Sequence, residues 1–223
     1  AGCLSGESGL VYLSAVDGEA VYEKLGFLYD LQMEGIGGGL PPARAENLRQ
    51  WMKESRHFDA MLNRTAAGVL GFTPEGLDYV HAARVPGALA EVERMDAWML
   101  QAADLDMGLA FQPEPWQEDE AGRWRRYQWK WDMARFAQAY LSDADESPDP
   151  EDMAAAGALL EQLMPPFYLG AVGEETVLMG AVPDPGRWET LWAAAASGED
   201  SPPLALERLR AWAGEEANFA LSM

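Results

Sequence analysis

The chain has 223 residues, with 37 acidic against 16 basic side chains and a formal net charge of -21. Such a field repels phosphate backbones and anionic membrane surfaces, so no nucleic-acid partner is expected. A hydrophobic fraction of 48% with nine Trp supplies enough apolar surface for a packed core and argues against a disordered chain.

The opening Ala1-Gly2-Cys3 resembles the last three positions of a bacterial lipoprotein signal. That resemblance implies lipid attachment at Cys3, with residues 4–9 as a flexible tether and a periplasmic or lipid-anchored location. Cys3 is the only Cys, so no internal disulfide forms. No stretch reaches the ~18 apolar residues of a membrane span, so contact with a membrane is expected only through such an anchor.

Residues 10–16, Leu-Val-Tyr-Leu-Ser-Ala-Val, read as a short strand ended by Asp17-Gly18. Residues 19–34 read as a helix, in which Gly26 costs about 1 kcal/mol relative to Ala. The run Gly35-Ile-Gly-Gly-Gly-Leu-Pro-Pro42 is the clearest linker. It separates residues 1–39, a tether with a first strand and helix, from a helical domain over 40–223 with a sub-boundary placed at 142–152.

Within that domain, Leu48, Trp51, Ser55, Phe58 and Leu62 mark the buried stripe of a helix over 42–65. Thr73-Pro-Glu has the form of an N-cap followed by Pro at the first helical position, and predicts a helix to residue 85. Leu89, Val92, Met99 and Ala103 predict another to residue 107. A Pro-interrupted acidic loop over 111–120 leads into a helix over 118–142. Trp129, Met133, Phe136 and Tyr140 form one stripe of it, and Trp124, Tyr127 and Trp131 a second. A helix apolar on two faces is central to a bundle or has one face awaiting a partner.

Residues 142–152 are a solvated acidic linker, and 151–164 a short Ala- and Leu-rich helix. Residues 167–172 and 176–182, split by Gly173-Glu-Glu, are the best hairpin candidate. Helices over 187–196 and from Ser201-Pro-Pro203 to residue 220 complete the chain. The expected fold is mainly α: an irregular multi-helix bundle or helical-hairpin scaffold with one small β-hairpin.

The segment Leu13-Ser-Ala-Val-Asp-Gly-Glu-Ala-Val-Tyr-Glu-Lys-Leu-Gly-Phe27 resembles the closing motif of the GCN5-related N-acetyltransferases. The resemblance implies an acyltransferase in the cytoplasm, with Tyr22 as the general acid. That family's pyrophosphate loop, a Gly-rich turn at a helix N-terminus, has no counterpart in the twelve residues before Leu13. Residues 20–29 also look like the first helix of a tetratricopeptide-type hairpin, without recurrence at 34 residues.

The two His each follow an acid by three positions, in Glu54-Ser-Arg-His57 and Asp78-Tyr-Val-His81. On helices such pairs share a face, as in carboxylate-bridged metal bundles. Surface His beside surface acids is the plainer reading. No nucleophile elbow, phosphate loop or zinc motif is present, and no cofactor is expected. The sequence therefore predicts a non-enzymatic helical protein of the bacterial envelope. It would bind partner proteins as scaffold or complex subunit through Trp124, Tyr127 and Trp131. An N-acetyltransferase-like protein and a helical metal-binding bundle are the alternatives.

Overall fold

In a computed structural model the chain is described over residues 10–14, 42–63, 66–73, 76–105, 107–140, 149–197 and 219–222. Its centre is one large antiparallel sheet, which replaces the expected helical bundle. The strands are β1 (Leu10–Ser14), β2 (Ala66–Thr73), β3 (Gly76–Arg84), β4 (Leu109–Pro113), β5 (Gln117–Asp119), β6 (Gly122–Trp131), β7 (Phe167–Val172), β8 (Thr176–Ala181) and β9 (Phe219–Ser222). The helices are α1 (Pro42–Asn63), α2 (Ala88–Leu100), α3 (Met133–Tyr140), α4 (Pro150–Leu163) and α5 (Pro185–Ser197), with a 3-10 turn at Gln101–Leu105.

The strand order is β4-β6-β7-β8-β3-β2-β1-β9, with β5 also on β6. β4 and β5 are one edge strand interrupted by a bulge. Pro113 pairs with Tyr127 and Gln117 with Trp124, so three residues of the edge strand oppose two of β6. Pro115 sits in that bulge, where its missing N–H costs no ladder bond.

The order reads the same from either edge. Among the described residues a unit of strand, helix, hairpin, helix, strand occurs twice, as β1-α1-β2-β3-α2-β4 and, with α3 as an additional helix, as β6-α3-α4-β7-β8-α5-β9. In each unit the last strand leaves its own unit and pairs with the first strand of the other: β4 with β6, and β9 with β1. β3 and β8 join the units at the middle of the sheet. The strand sequence repeats but the helix placement does not, because α2 and α5 lie on opposite faces.

One face carries α1 and α2. There Ala83, Val85, Tyr127, Leu169, Ala171 and Val177 of the sheet region pack under Phe58 and Leu62 of α1 and Val92, Met95 and Met99 of α2. The other face carries α5, whose Trp188, Leu191 and Trp192 cover Val80, Tyr168 and Leu178. Period-two alternation thus delivers apolar groups to both sides of the central strands, as expected for strands covered on both faces. Gly170 is fixed by that packing. A Cβ there would stand 2.6 Å from Trp124 Cβ and 2.7 Å from Trp192 Cζ3.

α2 has Gly87 at its N-cap and no side-chain cap. Instead the β7–β8 turn supplies the acceptor: Glu174 carbonyl accepts from Gly87 and Ala88 N–H, both at 3.0 Å. This satisfies amides that a helix start otherwise leaves without partners. It also ties the second unit's hairpin to the first unit's helix.

Two expected helices are strands. The reading of 118–142 fails because β6 pairs over its length with β4, β5 and β7, and only α3 beyond it is helical. Residues 76–84 pair with both β2 and β8. The register brings Thr73 opposite Gly76, and from Gly76 the expected helix is a strand antiparallel to β2. The expected strand at 10–16 is found as β1, and the 167–182 hairpin as β7–β8. β1, from the segment 1–39, is a strand of the common sheet. Of the last expected helix only residues 219 and 220 are described, and they belong to β9.

Candidate docking surface

The residues singled out by sequence do not converge. Cys3, Tyr22 and the acetyltransferase-like segment beyond Ser14 lie outside the described residues. Tyr127 has no exposed surface. Its hydroxyl donates to Asp96 Oδ1 at 2.6 Å, and Arg125 Nη1 bonds both oxygens of that carboxylate at 2.8 and 2.9 Å. Burial foremost, then the Asp96 carboxylate, pushes the Tyr127 phenol far above its ordinary value of 10.0. Trp124 lies on the α5 face, its ring 5.8 Å from Tyr168 and 6.0 Å from Trp188. Tyr127 and Trp124 are thus on opposite faces of β6, as residues three apart on a strand must be.

Of the acid-x-x-His pairs, Glu54 and His57 share α1 as a helix requires, and the exposed His57 approaches Glu91 of α2 at 3.4 Å; the other pair is split. His81 is buried on the α1–α2 face, its Nε2 3.1 Å from the Leu62 carbonyl. Desolvation holds it below the ordinary His value. Asp78 sits on the other face and forms a forked pair with Arg187 of α5, at 3.1 and 2.7 Å. A helix would have put Asp78 and His81 together; the strand sends them apart. Among the described residues no three His, Cys, Asp or Glu come together to hold a metal ion.

The basic cluster is structural. Arg123 pairs with Glu93 and Arg125 with Asp96, both on α2, while Arg126 pairs with Glu114. Trp116, delivered by the edge bulge, has both Arg123 and Arg125 over its ring at 4.2 and 4.4 Å.

α4 differs from the other helices. From Met153 to Leu160 it reads Met-Ala-Ala-Ala-Gly-Ala-Leu-Leu, without one charged group. A surface helix buries an apolar stripe and shows a polar face; one that is apolar all round belongs inside a core or an interface. Yet Ala154, Ala155 and Ala158 are exposed, and Leu159 and Leu163 are 54% and 49% exposed. Beside this helix runs a groove of about 650 Å³, lined by Trp131, Met133, Met153, Ala154, Gly157 and Ala158 with Asp132 and Glu161 at its edges.

The surrounding elements fix the groove. Trp129, next but one to Trp131 on β6, donates its indole N–H to the Pro165 carbonyl at 2.9 Å, which holds the end of α4 against the sheet. Gly157 lets α3 approach: a Cβ there would be 2.9 Å from Met133 Cγ. Asp149 caps α4 by accepting from Glu151 N–H at 2.8 Å, and Glu151 and Asp152 occupy its first turn. Those acids suit the helix N-terminus, and they also leave it strongly negative.

The groove offers apolar area and negative charge, the latter from the carboxylates of Asp132 and Glu161. The described residues define a protein built on an antiparallel sheet flanked by helices, with exposed Leu159 and Leu163 on one helix beside a groove. Comparison with known proteins finds no matching family model, no matching curated protein and no matching solved structure. Of the aromatic trio expected to bind a partner, Trp131 alone borders this surface. Leu159 and Leu163 were not singled out by sequence, although an eight-residue apolar run without a polar face was the visible signal.

Proposed function

We propose that this chain binds another protein, as scaffold or complex subunit, and that α4 with the adjoining groove is the contact. The observation carrying the reading is the exposure of Leu159 and Leu163 on a helix with no polar central face. Fully burying a Leu contributes about 1.5–3 kcal/mol, so two half-exposed Leu and the Ala surface around them constitute an appreciable unused drive. Fourteen residues of helix span about 21 Å. That length suits an interface of the usual ~800 Å² per partner once the groove is included.

A photo-crosslinking amino acid placed at position 159 or 163 of the chain in its native cell tests this. The expected result is one adduct of defined mass from both positions and none from the exposed edge residue Gln112. Adducts from position 112 alone would move the contact away from α4.

A further inference from the structure

The occupant of this surface can be taken further, resting on the docking reading just given. We propose that α4 and its groove receive a cationic, amphipathic helix of a different protein: Leu-type side chains enter the groove, and Lys or Arg face its acidic rim.

Two observations choose this occupant. The first is charge. Between Arg135 and Arg187 the sequence holds no Lys, Arg or His, while ten Asp and Glu fall in the same span. Asp149, Glu151 and Asp152 stand at one end of α4 and Glu161 at the other, about three helical turns away. Arg135, the nearest cation on α3, is paired with Asp132 at 3.3 Å. The acids at the start of α4 have a capping role of their own, but Glu161 has none, being in the helix's last turn where the dipole disfavours it. A second copy of this chain would bring a further charge of -21 and the same acidic helix start against it. Charge therefore selects a basic partner over self-association.

The second observation is shape. Ala154 and Ala158, four apart and both exposed, lie on the groove side of α4, beside the buried Gly157 that Met133 of α3 already packs against. Small residues in that pattern let another helix backbone approach closely, with large apolar side chains supplied by the visitor. Leu159 and Leu163, four apart, project as neighbours from another side of the same helix. A docked amphipathic helix is read through such i, i+4 anchors.

The test uses the full chain and two labelled 18-residue peptides that share one Leu-bearing helical face. One carries Lys on its flanks; the other carries Glu at the same positions. Binding is followed by fluorescence anisotropy, and self-association by sedimentation. The Lys peptide is expected to bind, losing at least about tenfold in affinity between low and physiological salt, because the rim charges are exposed and screened. The Leu159→Asp plus Leu163→Asp variant is expected to lose a further tenfold or so, since it removes the apolar anchors from an exposed face without touching the core. Circular dichroism confirms its fold, and Glu161→Lys, a surface change, provides a second variant expected to weaken the Lys peptide alone.

Each contrary outcome overturns a named part. Equal binding of the Glu peptide overturns the cationic partner and leaves docking at α4 standing. Binding of the Lys peptide that both variants leave unchanged overturns α4 as the contact, as does a failure of both peptides to bind. A wild-type dimer that the double Asp variant dissociates makes a second copy the occupant and overturns the proposal.

Discussion

Trp51 and Trp98 hold each other by the same bond made in both directions. The indole N–H of Trp51 donates to the Trp98 carbonyl at 2.9 Å, and that of Trp98 donates to the Trp51 carbonyl at 2.8 Å. Their rings stack at 4.4 Å with 14° between planes. This pair is the clasp between α1 and α2 above the sheet. Trp98 lies in the last turn of α2, where carbonyls lack helical partners, so the Trp51 bond meets a need the helix itself leaves open.

Replacing either Trp with Phe keeps an aromatic ring and removes one donor, at an expected cost of about 1–2 kcal/mol each. The two losses are expected to be coupled, with the double variant departing from their sum by at least about 0.5 kcal/mol in urea unfolding. Strict additivity would mean the bonds act independently and the stack contributes little.

High pH acts through Tyr127. Its phenol is held protonated by burial and by Asp96, so its value in the fold lies above the ordinary 10.0. The associated stability is complete below pH about 10 and is lost as pH rises beyond it, because the unfolded chain releases the proton first. Tyr168 is shifted the same way by burial. Thermal unfolding between pH 8 and 11 is therefore expected to show an alkaline fall, with Tyr127→Phe less stable at pH 8 but falling less steeply. Parallel curves for the two proteins would contradict the assignment.

Low pH acts in the opposite sense through His81. Desolvation lowers its value in the fold, and the Leu62 carbonyl contact offsets this only in part. The unfolded chain binds a proton below the ordinary value of 6.5, and the buried ring does so only at lower pH. Stability from this group is present above pH 6.5 and is lost as pH falls below it. His81→Asn is expected to flatten the stability profile between about pH 7 and 5.5, where carboxylates contribute little. An unchanged slope would locate the acid sensitivity elsewhere.

The exchange of terminal strands between the two units makes a prediction about fragments. Cutting at the β5–β6 turn, between Glu120 and Ala121, gives pieces that each lack the strand covering β1 or β6. Each piece would expose an unpaired edge and half of the β3–β8 seam. Co-expressed pieces are expected to co-purify as a 1:1 folded complex, and single pieces to aggregate. Independent folding of either piece would show that the sheet's middle seam and crossed edges are dispensable.

How much of this was legible depends on the range of the deciding interaction. α1 and α5 were readable because Leu48, Phe58 and Leu62, or Trp188, Leu191 and Trp192, fall at helical spacing. The β7–β8 hairpin was readable from two apolar runs around Gly173, whose φ of 59° suits the turn. β6 was not, although Tyr127, Trp129 and Trp131 alternate with Gln128 and Lys130 at the period of a strand. The accidental fit of Trp129, Met133 and Phe136 to helical spacing masked a boundary at Asp132. β3 carries Ala82 and Ala83 in place of a β-branched run, and it becomes a strand because β2 and β8 flank it. Tertiary pairing overrides local preference there. The surface at α4 was written in Met153 to Leu160, but only exposure distinguishes an interface helix from a core one.

The most direct test of the account is an amide chemical-shift map of the ¹⁵N-labelled chain titrated with the Lys-flanked amphipathic peptide. The account predicts perturbations concentrated on α4 and the groove, from Trp131 to Ala134 and from Pro150's neighbours to Leu163, that are absent in the Leu159→Asp plus Leu163→Asp variant. Perturbations centred on another face of the sheet, or scattered without a centre, would contradict it.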